Sequence, residues 1–127
     1  MHENELAKIV VDCAFKIHNA LGPGLLESVY ETALEYEITK RGLRVGRQVG
    51  IPAIYDEVRL DVGFRADLIV GGKLVIEVKS IEALAPIHTK TLLTYLRLAD
   101  IRLGLLINFN VNLIKEGVRR VANNLPE

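Results

Sequence analysis

The sequence lacks the features that mark several classes of protein. It has one cysteine, Cys13, so no internal disulfide can form and a cytoplasmic location is expected. Acidic and basic residues are equal in number, 16 each, so nucleic acid could bind only through a local patch. No apolar run reaches the roughly 20 residues of a membrane span, and the start has no basic segment typical of a signal peptide. We therefore expect an unprocessed soluble protein without membrane contact.

The chain does have enough apolar content for one compact domain. Half of its 127 residues (50%) are hydrophobic, which suffices for one core, whereas the length is too short for two comfortable domains. No internal repeat, low-complexity segment or linker composition interrupts it. We expect residues 1–127 to form a single domain.

Apolar periodicity predicts the first half of the fold. Apolar residues at three- and four-residue steps predict a first helix that Gly22-Pro23-Gly24 ends; they are Leu6, Ile9, Val10, Cys13, Ile17 and Leu21. A second helix should begin near Leu25 or Leu26 and end at Gly42. Two apolar runs, 45–55 and 58–64, then read as strands, the first of them bent or at an edge because it contains Gly50 and Pro52.

The second half predicts a hairpin, a third helix and a further strand. Residues 64–70 and 73–79 form the hairpin, and Pro86 begins a helix to about Asp100 whose apolar side includes Leu92, Leu96 and Ala99. Leu103 to Asn108 reads as a buried strand. The tail, 111–114 and 118–121, could be two short strands about Gly117 or a broken helix, and we favour strands. The order predicts a mixed α/β sheet flanked by helices.

The hairpin carries ionised residues that need a reason. If its loop held only Gly71 and Gly72, Asp67 would oppose Ile76, and Glu77 would point to the other face of the sheet. A three-residue loop, 71–73, instead places Asp67 opposite Glu77. We therefore predict a loop with an odd number of residues, or an equivalent bulge.

That register would bring Asp67, Glu77 and Lys79 to one face of the sheet. Two carboxylates and an ammonium could hold a divalent cation beside a phosphate, since magnesium prefers hard oxygen ligands. The alternative is that the three side chains only decorate the solvated side of the sheet. The spacing alone does not choose between the two.

Several motifs resemble a known family. The segment Gly24-Leu25-Leu26-Glu27-Ser28-Val29-Tyr30 resembles the signature of the GxxExxY proteins, and Asp67 with Glu77-Val78-Lys79 resembles the core of the PD-(D/E)XK nuclease superfamily. The resemblance extends through 86–88, 92–96 and 104–109. It implies a restriction-endonuclease-like fold, a central mixed β-sheet flanked by α-helices.

The resemblance also implies roles for particular residues. Asp67 and Glu77 would bind Mg²⁺ or Mn²⁺, Glu27 would add a ligand from the second helix, and Lys79 would orient water or stabilise charge on the phosphate. Many superfamily members have a Gln-x-x-x-Tyr pattern in the helix after the lysine. Here Thr91 replaces the glutamine and Tyr95 is retained, so the amide that could contact water or DNA is missing.

Other candidate residues have structural explanations. His18 and His88 have no partners at zinc-site spacing, so capping or core roles are expected. Tyr30 lies one turn after Glu27 and could hold that carboxylate, although packing is favoured. A basic set in the C-terminal half could contact phosphates, but a solvated face is the favoured interpretation; its members are Arg97, Arg102, Lys115, Arg119 and Arg120.

The sequence is compatible with two functions. The first is a metal-dependent nuclease acting on DNA, and the second is a catalytically inactive nuclease-fold module for binding or assembly. Small nucleases of this fold commonly pair to cut two strands, so a homodimer is also expected.

Overall fold

The computed structural model describes residues 1–126. Its helices are α1 (Glu3–Leu21), α2 (Glu27–Lys40) and α3 (Pro86–Ala99), and its strands are β1 (Val45–Tyr55), β2 (Val58–Val70), β3 (Leu74–Lys79), β4 (Leu103–Asn108) and β5 (Val118–Ala122). The strands form one sheet in sequence order. β3 and β4 are parallel and are connected through α3, whereas the other neighbouring pairs are antiparallel. The predicted mixed sheet flanked by helices is confirmed.

The two faces of the sheet are covered by different helices. α1 and α2 pack on one face, where Leu34 and Ile38 are fully buried, and Cys13 is a free, buried thiol beside them. α3 packs on the other face through Leu92 and Leu96. Burial of these apolar surfaces is the main term that holds the layers together. We name the two faces the α1/α2 face and the α3 face.

The loop between β2 and β3 has the predicted odd length. It spans residues 71–73, and Val70 pairs with Leu74 across it. Both of its glycines have left-handed backbone angles (φ +59° and +69°), which a residue with a side chain adopts at a cost. If the pairing of Val70 with Leu74 is continued residue by residue along the hairpin, Asp67 stands opposite Glu77.

Strand β2 changes face at Asp67. Phe64 and Ala66 pack on the α3 face, whereas Leu68 and Val70 pack on the α1/α2 face. In a regular strand, residues two apart point to the same side, so Ala66 and Leu68 should share a face. The strand is therefore rotated about its own axis at Asp67, which the alternation of residue types does not indicate.

Three sequence predictions about elements are wrong. Residues 58–64 and 64–70 are one continuous strand, because β1 pairs along the whole of it. Leu21, the last of the residues whose spacing predicts an apolar face on the first helix, is 45% exposed at the end of α1. Residues 111–114 are not a strand: the Val111 carbonyl oxygen lies 2.8 Å from Nε2 of His18 instead of joining the sheet, and a short 3₁₀ helix (Ile114–Gly117) follows.

Gly117 explains why the tail turns there. A side chain at this position would collide with the carbonyl oxygen of Asn108 at the end of β4. Only glycine allows the two backbone segments to approach so closely. The following residues, 118–122, form the second predicted strand of the tail, which is confirmed. Within residues 1–126, no helix has both the length and the apolarity needed to cross a membrane.

Candidate active site

Asp67 and Glu77 meet where the ladder between β2 and β3 ends. The last regular pair is Leu68 with Ile76. Beyond it, the backbone N–H of Asp67 donates to Oε1 of Glu77 at 3.3 Å, and the backbone N–H of Val78 donates to Oδ2 of Asp67 at 2.8 Å. Each carboxylate thus binds the backbone of the opposite strand. The two acidic groups are held side by side between diverging strands.

Both carboxyl groups resist ionisation in this position. Burial, and then the negative charge of Asp67, raises the pKa of Glu77 from 4.5 to about 8, although the Asp67 N–H and the charge of Lys79 lower it. Burial is also the largest cause that raises the pKa of Asp67, and the Val78 N–H opposes it. Repulsion between two close carboxylates is the property that a bound cation would relieve.

Lys79 lies beside Glu77. Glu77 and Lys79 both line a cavity of about 220 Å³ on the α3 face, together with Thr91, Tyr95 and His88. Among residues 1–126, no carboxylate lies within 4.0 Å of the Lys79 ammonium. Its positive charge is therefore available to a group that enters the cavity.

Tyr95 forms a wall of the same cavity. Its ring stacks on that of Phe64, with centroids 3.8 Å apart and planes inclined by 7°. Burial raises the pKa of the Tyr95 hydroxyl, and the charges of Glu77 and Asp67 raise it further. Tyr95 thus lies within electrostatic range of both acidic residues.

Glu27 lies at the start of α2 and contacts the end of β3. Its Oε2 accepts a hydrogen bond from the backbone N–H of Ser80 at 3.2 Å, next in sequence to Lys79. Within the part of the chain that the structure describes, no group of three histidine, cysteine, aspartate or glutamate side chains is placed to hold a metal ion. The close pair is Asp67 with Glu77, and the role of Glu27 as a ligand stays a prediction.

Tyr30 packs in the core and does not hold the Glu27 carboxylate, in line with the interpretation favoured from the sequence. It is fully buried, and its ring stacks on that of Phe109 with centroids 4.3 Å apart. Its hydroxyl donates to the carbonyl of Gly22 at 2.6 Å and accepts from the N–H of Leu25 at 3.1 Å. Tyr30 therefore fixes the loop that leads into α2.

The two histidines have the structural roles that the sequence favoured. His18 is buried and lies within hydrogen-bonding distance of the loop before β5, as described above. Nδ1 of His88 accepts from the backbone N–H of Ala85 at 2.9 Å and so caps α3. Neither contact resembles a zinc site.

The C-terminal basic residues do not share one surface. Arg119 and Arg120 are consecutive in β5 and therefore point to opposite faces of the sheet. Arg120 donates to Oδ1 of Asn4 in α1, whereas Arg119 donates to nearby backbone carbonyls. The solvated interpretation is supported for these two.

Three residues near the site were not predicted from the sequence: Glu31, Arg47 and Gln48. Glu31 is buried on α2, and its Oε1 accepts from Nε of Arg47 and from Nε2 of Gln48, both at 2.9 Å. The same Gln48 nitrogen donates to Oδ1 of Asp67 at 3.2 Å. A pattern could have revealed Glu31, because Glu27, Glu31 and Glu35 recur at four-residue steps along one side of α2. Nothing in the sequence around Gln48 marks it.

Comparison with protein families identifies the class of domain. The family model of the PD-(D/E)XK nuclease superfamily matches residues 4–121, and the chain belongs to that superfamily. No curated protein and no solved structure matches the chain. The family supports a nuclease-type domain, and its members generally use divalent metals.

Proposed function

We propose that the protein is a nuclease of the GxxExxY group that hydrolyses phosphodiester bonds, with DNA as its substrate and Mg²⁺ or Mn²⁺ as its cofactor. One observation carries the proposal: the carboxyl groups of Asp67 and Glu77 are held together by backbone hydrogen bonds, and Glu77 shares a cavity with Lys79, whose ammonium has no carboxylate within 4.0 Å among residues 1–126. Such an arrangement costs the metal-free fold stability. Cation binding would explain why the protein keeps two carboxyl groups together despite this cost.

The donor set fits magnesium. Each carboxylate oxygen can accept more than one bond, so the hydrogen bonds to Asp67 and Glu77 leave oxygen lone pairs for a cation. Mg²⁺ keeps several of its waters and is commonly bound through one or two carboxylates plus substrate phosphates. Two adjacent carboxylates therefore suffice, and we propose Glu27 as the additional ligand from α2.

The remaining residues take supporting roles in this proposal. A divalent cation held by these carboxylates would neutralise charge on the phosphate and would make a water molecule a better nucleophile by lowering its pKa. In the hydrolysis, a water oxygen loses a proton and bonds to phosphorus, one P–O ester bond breaks, and the leaving oxygen takes up a proton to become a hydroxyl. Lys79 stabilises the negative charge that develops on the phosphate, because it lines the partly enclosed cavity that the phosphate would enter. Tyr95 and Thr91 line the approach, and Tyr30 fixes the loop before Glu27.

The test is cleavage of plasmid, linear duplex and single-stranded DNA, with RNA in parallel, across a titration of Mg²⁺ and Mn²⁺. Glu77→Gln and Lys79→Met should each abolish cleavage, because the first removes a ligand charge and the second the free ammonium. Glu57→Gln in the β1–β2 turn and Lys90→Met on the exposed side of α3 are matched controls that should cleave normally. Cleavage that persists in both site variants would contradict the proposal.

A catalytically inactive binding or assembly module is the second candidate. One observation in its favour is that the carboxyl groups of Glu77 and Asp67 already accept hydrogen bonds from the backbone N–H groups of Asp67 and Val78, which is a structural role. Another is Thr91, which stands in place of the glutamine common in the superfamily. Absence of cleavage, together with no thermal shift on adding Mg²⁺ or Mn²⁺, would support it over the nuclease. The homodimer and the cytoplasmic location stay predictions, and sedimentation over a range of concentrations tests the first.

A further inference from the structure

Gln48 has a backbone conformation that is unusual inside a paired strand. Its φ is +51°, in the left-handed region that residues with a side chain rarely occupy. Asp56 and Glu57 also have positive φ, but they form the turn between β1 and β2, and Asp100 ends a helix. A strained residue within a strand persists only where its surroundings hold it.

Gln48 lies opposite the point where β2 changes face. Arg47 pairs with Leu68, and Val49 pairs with Ala66, so Gln48 stands across from Asp67. Leu68 packs on the α1/α2 face and Ala66 on the α3 face. The two strands therefore rotate together at this one pair of residues. The rotation keeps β1 and β2 paired on both sides of Asp67.

The side chain of Gln48 joins Asp67 to α2. Its Nε2 donates to Oε1 of Glu31 and to Oδ1 of Asp67, so one amide nitrogen bridges two carboxylates. Arg47 completes the arrangement, since its Nε donates to the same Glu31 oxygen and its Nη1 lies 3.6 Å from Oε1 of Glu35. The guanidinium compensates the buried charge of Glu31, which leaves Glu31 as a fixed acceptor.

The result is a restraint on Asp67 from two directions. The Val78 N–H holds Oδ2 from the β3 side, and the Gln48 amide holds Oδ1 from the β1 side. A carboxylate with both oxygens fixed has lost its freedom to rotate. Partners of this kind around a ligand typically change metal affinity or activity by about 10- to 100-fold when they are removed.

We propose that Gln48, backed by Glu31 and Arg47, is a positioning residue that fixes the orientation of the Asp67 carboxylate for cation binding. The inference rests on the proposed function for its cation, but the positioning itself can be measured without one. It extends the site to α2 and β1 beyond the residues that the motif names.

The first measurement uses the metal-free full chain. Gln48→Gly removes the amide and relieves the left-handed strain, while Gln48→Glu keeps the length but places a third negative charge between Glu31 and Asp67. Amide hydrogen exchange at Val78 reports whether Asp67 still accepts its hydrogen bond. We expect about tenfold faster exchange at Val78 in both variants, because its acceptor is no longer held in place.

The second measurement is Mg²⁺ and Mn²⁺ binding by calorimetry on the same proteins. We expect binding about 10- to 100-fold weaker in both variants, and an Arg47→Met variant should weaken it in the same direction. Asp56→Gly is the matched control, because it relieves a left-handed residue (φ +49°) at the β1–β2 turn; it should change neither measurement.

The outcomes separate this inference from the proposed function. Unchanged exchange at Val78, or unchanged cation affinity in folded Gln48 variants, would overturn the positioning role. Faster exchange in the variants together with no cation binding by the unaltered protein would uphold the positioning of Asp67 but overturn the proposed metal-dependent nuclease. A loss of stability without either change would mean that Gln48 serves the fold alone.

Discussion

The backbone N–H of Val78 donates to the side chain of Asp67 where the next strand-to-strand bond would otherwise form. The carboxylate thereby takes the place of a backbone acceptor, and the strands separate beyond it. This contact also anchors Asp67 next to Glu77. The same bond that ends the ladder therefore builds the acidic pair.

The stability of the metal-free protein should fall as the pH rises from about 5 to about 8. The folded state keeps the Glu77 proton up to a pKa of about 8, whereas the unfolded chain releases it near 4.5. The folded state binds more protons in this window, so its free energy of unfolding decreases with pH, by at most about 1.4 kcal/mol per pH unit from this group. Urea unfolding at pH 5, 6, 7 and 8 measures this decrease in the free energy of unfolding.

Glu77→Gln provides the control for that prediction. The amide keeps an oxygen that can accept the Asp67 N–H but cannot ionise, so the pH dependence should be shallower than in the unaltered protein. Equal slopes for the two proteins would show that Glu77 does not titrate in this window.

Magnesium should stabilise the protein more at pH 8 than at pH 6. In the proposed site, the cation binds Glu77 without its proton, so binding at the lower pH must displace that proton. At a free concentration 100 times its dissociation constant, the expected stabilisation is about 2.7 kcal/mol. Thermal unfolding with and without Mg²⁺ at both pH values tests this. A shift of the same size in Glu77→Gln would place the cation elsewhere.

Tyr30→Phe should destabilise the fold by about 1 to 3 kcal/mol. The substitution keeps the stacking on Phe109 but removes the hydroxyl that joins the carbonyl of Gly22 to the N–H of Leu25, and it leaves those groups unpaired. Chemical denaturation measures the change. Tyr36→Phe on the exposed side of α2 should shift stability by less than about 0.5 kcal/mol; equal effects would contradict the loop-fixing role.

Thr91→Gln should raise cleavage if the protein is a nuclease. Thr91 lines the cavity beside Glu77 and Lys79, and a glutamine there would extend an amide toward the phosphate. We expect up to about tenfold faster cleavage at saturating Mg²⁺, as a single well-placed hydrogen bond would provide. Thr94→Gln, exposed on the same helix, is the control. An unchanged or lower rate would show that position 91 is not a substrate contact.

Local patterns were good guides to most elements. β1 has the predicted bounds, and α3 and β4 differ from prediction by at most one residue, because their boundaries depend on proline, glycine and polar residues next to them. The odd loop of the hairpin could also be predicted, since only that register places Asp67 opposite Glu77. Local patterns were poor guides to the tail, because its conformation depends on residues outside it. Gly117 lies against the Asn108 carbonyl at the end of β4, and the Val111 carbonyl contacts His18 in α1.

The sequence by itself determined the mixed sheet between helices and indicated the odd loop that places Asp67 opposite Glu77, because strand alternation and the position of turn residues are local properties. Only the tertiary structure decided that β2 rotates at Asp67 and that Gln48 bridges this carboxylate to Glu31. These contacts join residues 17 and 19 positions apart, on a helix and two strands. Which residues Gln48 contacts depends on how α2 packs against the sheet, and a short-range sequence pattern does not contain that information.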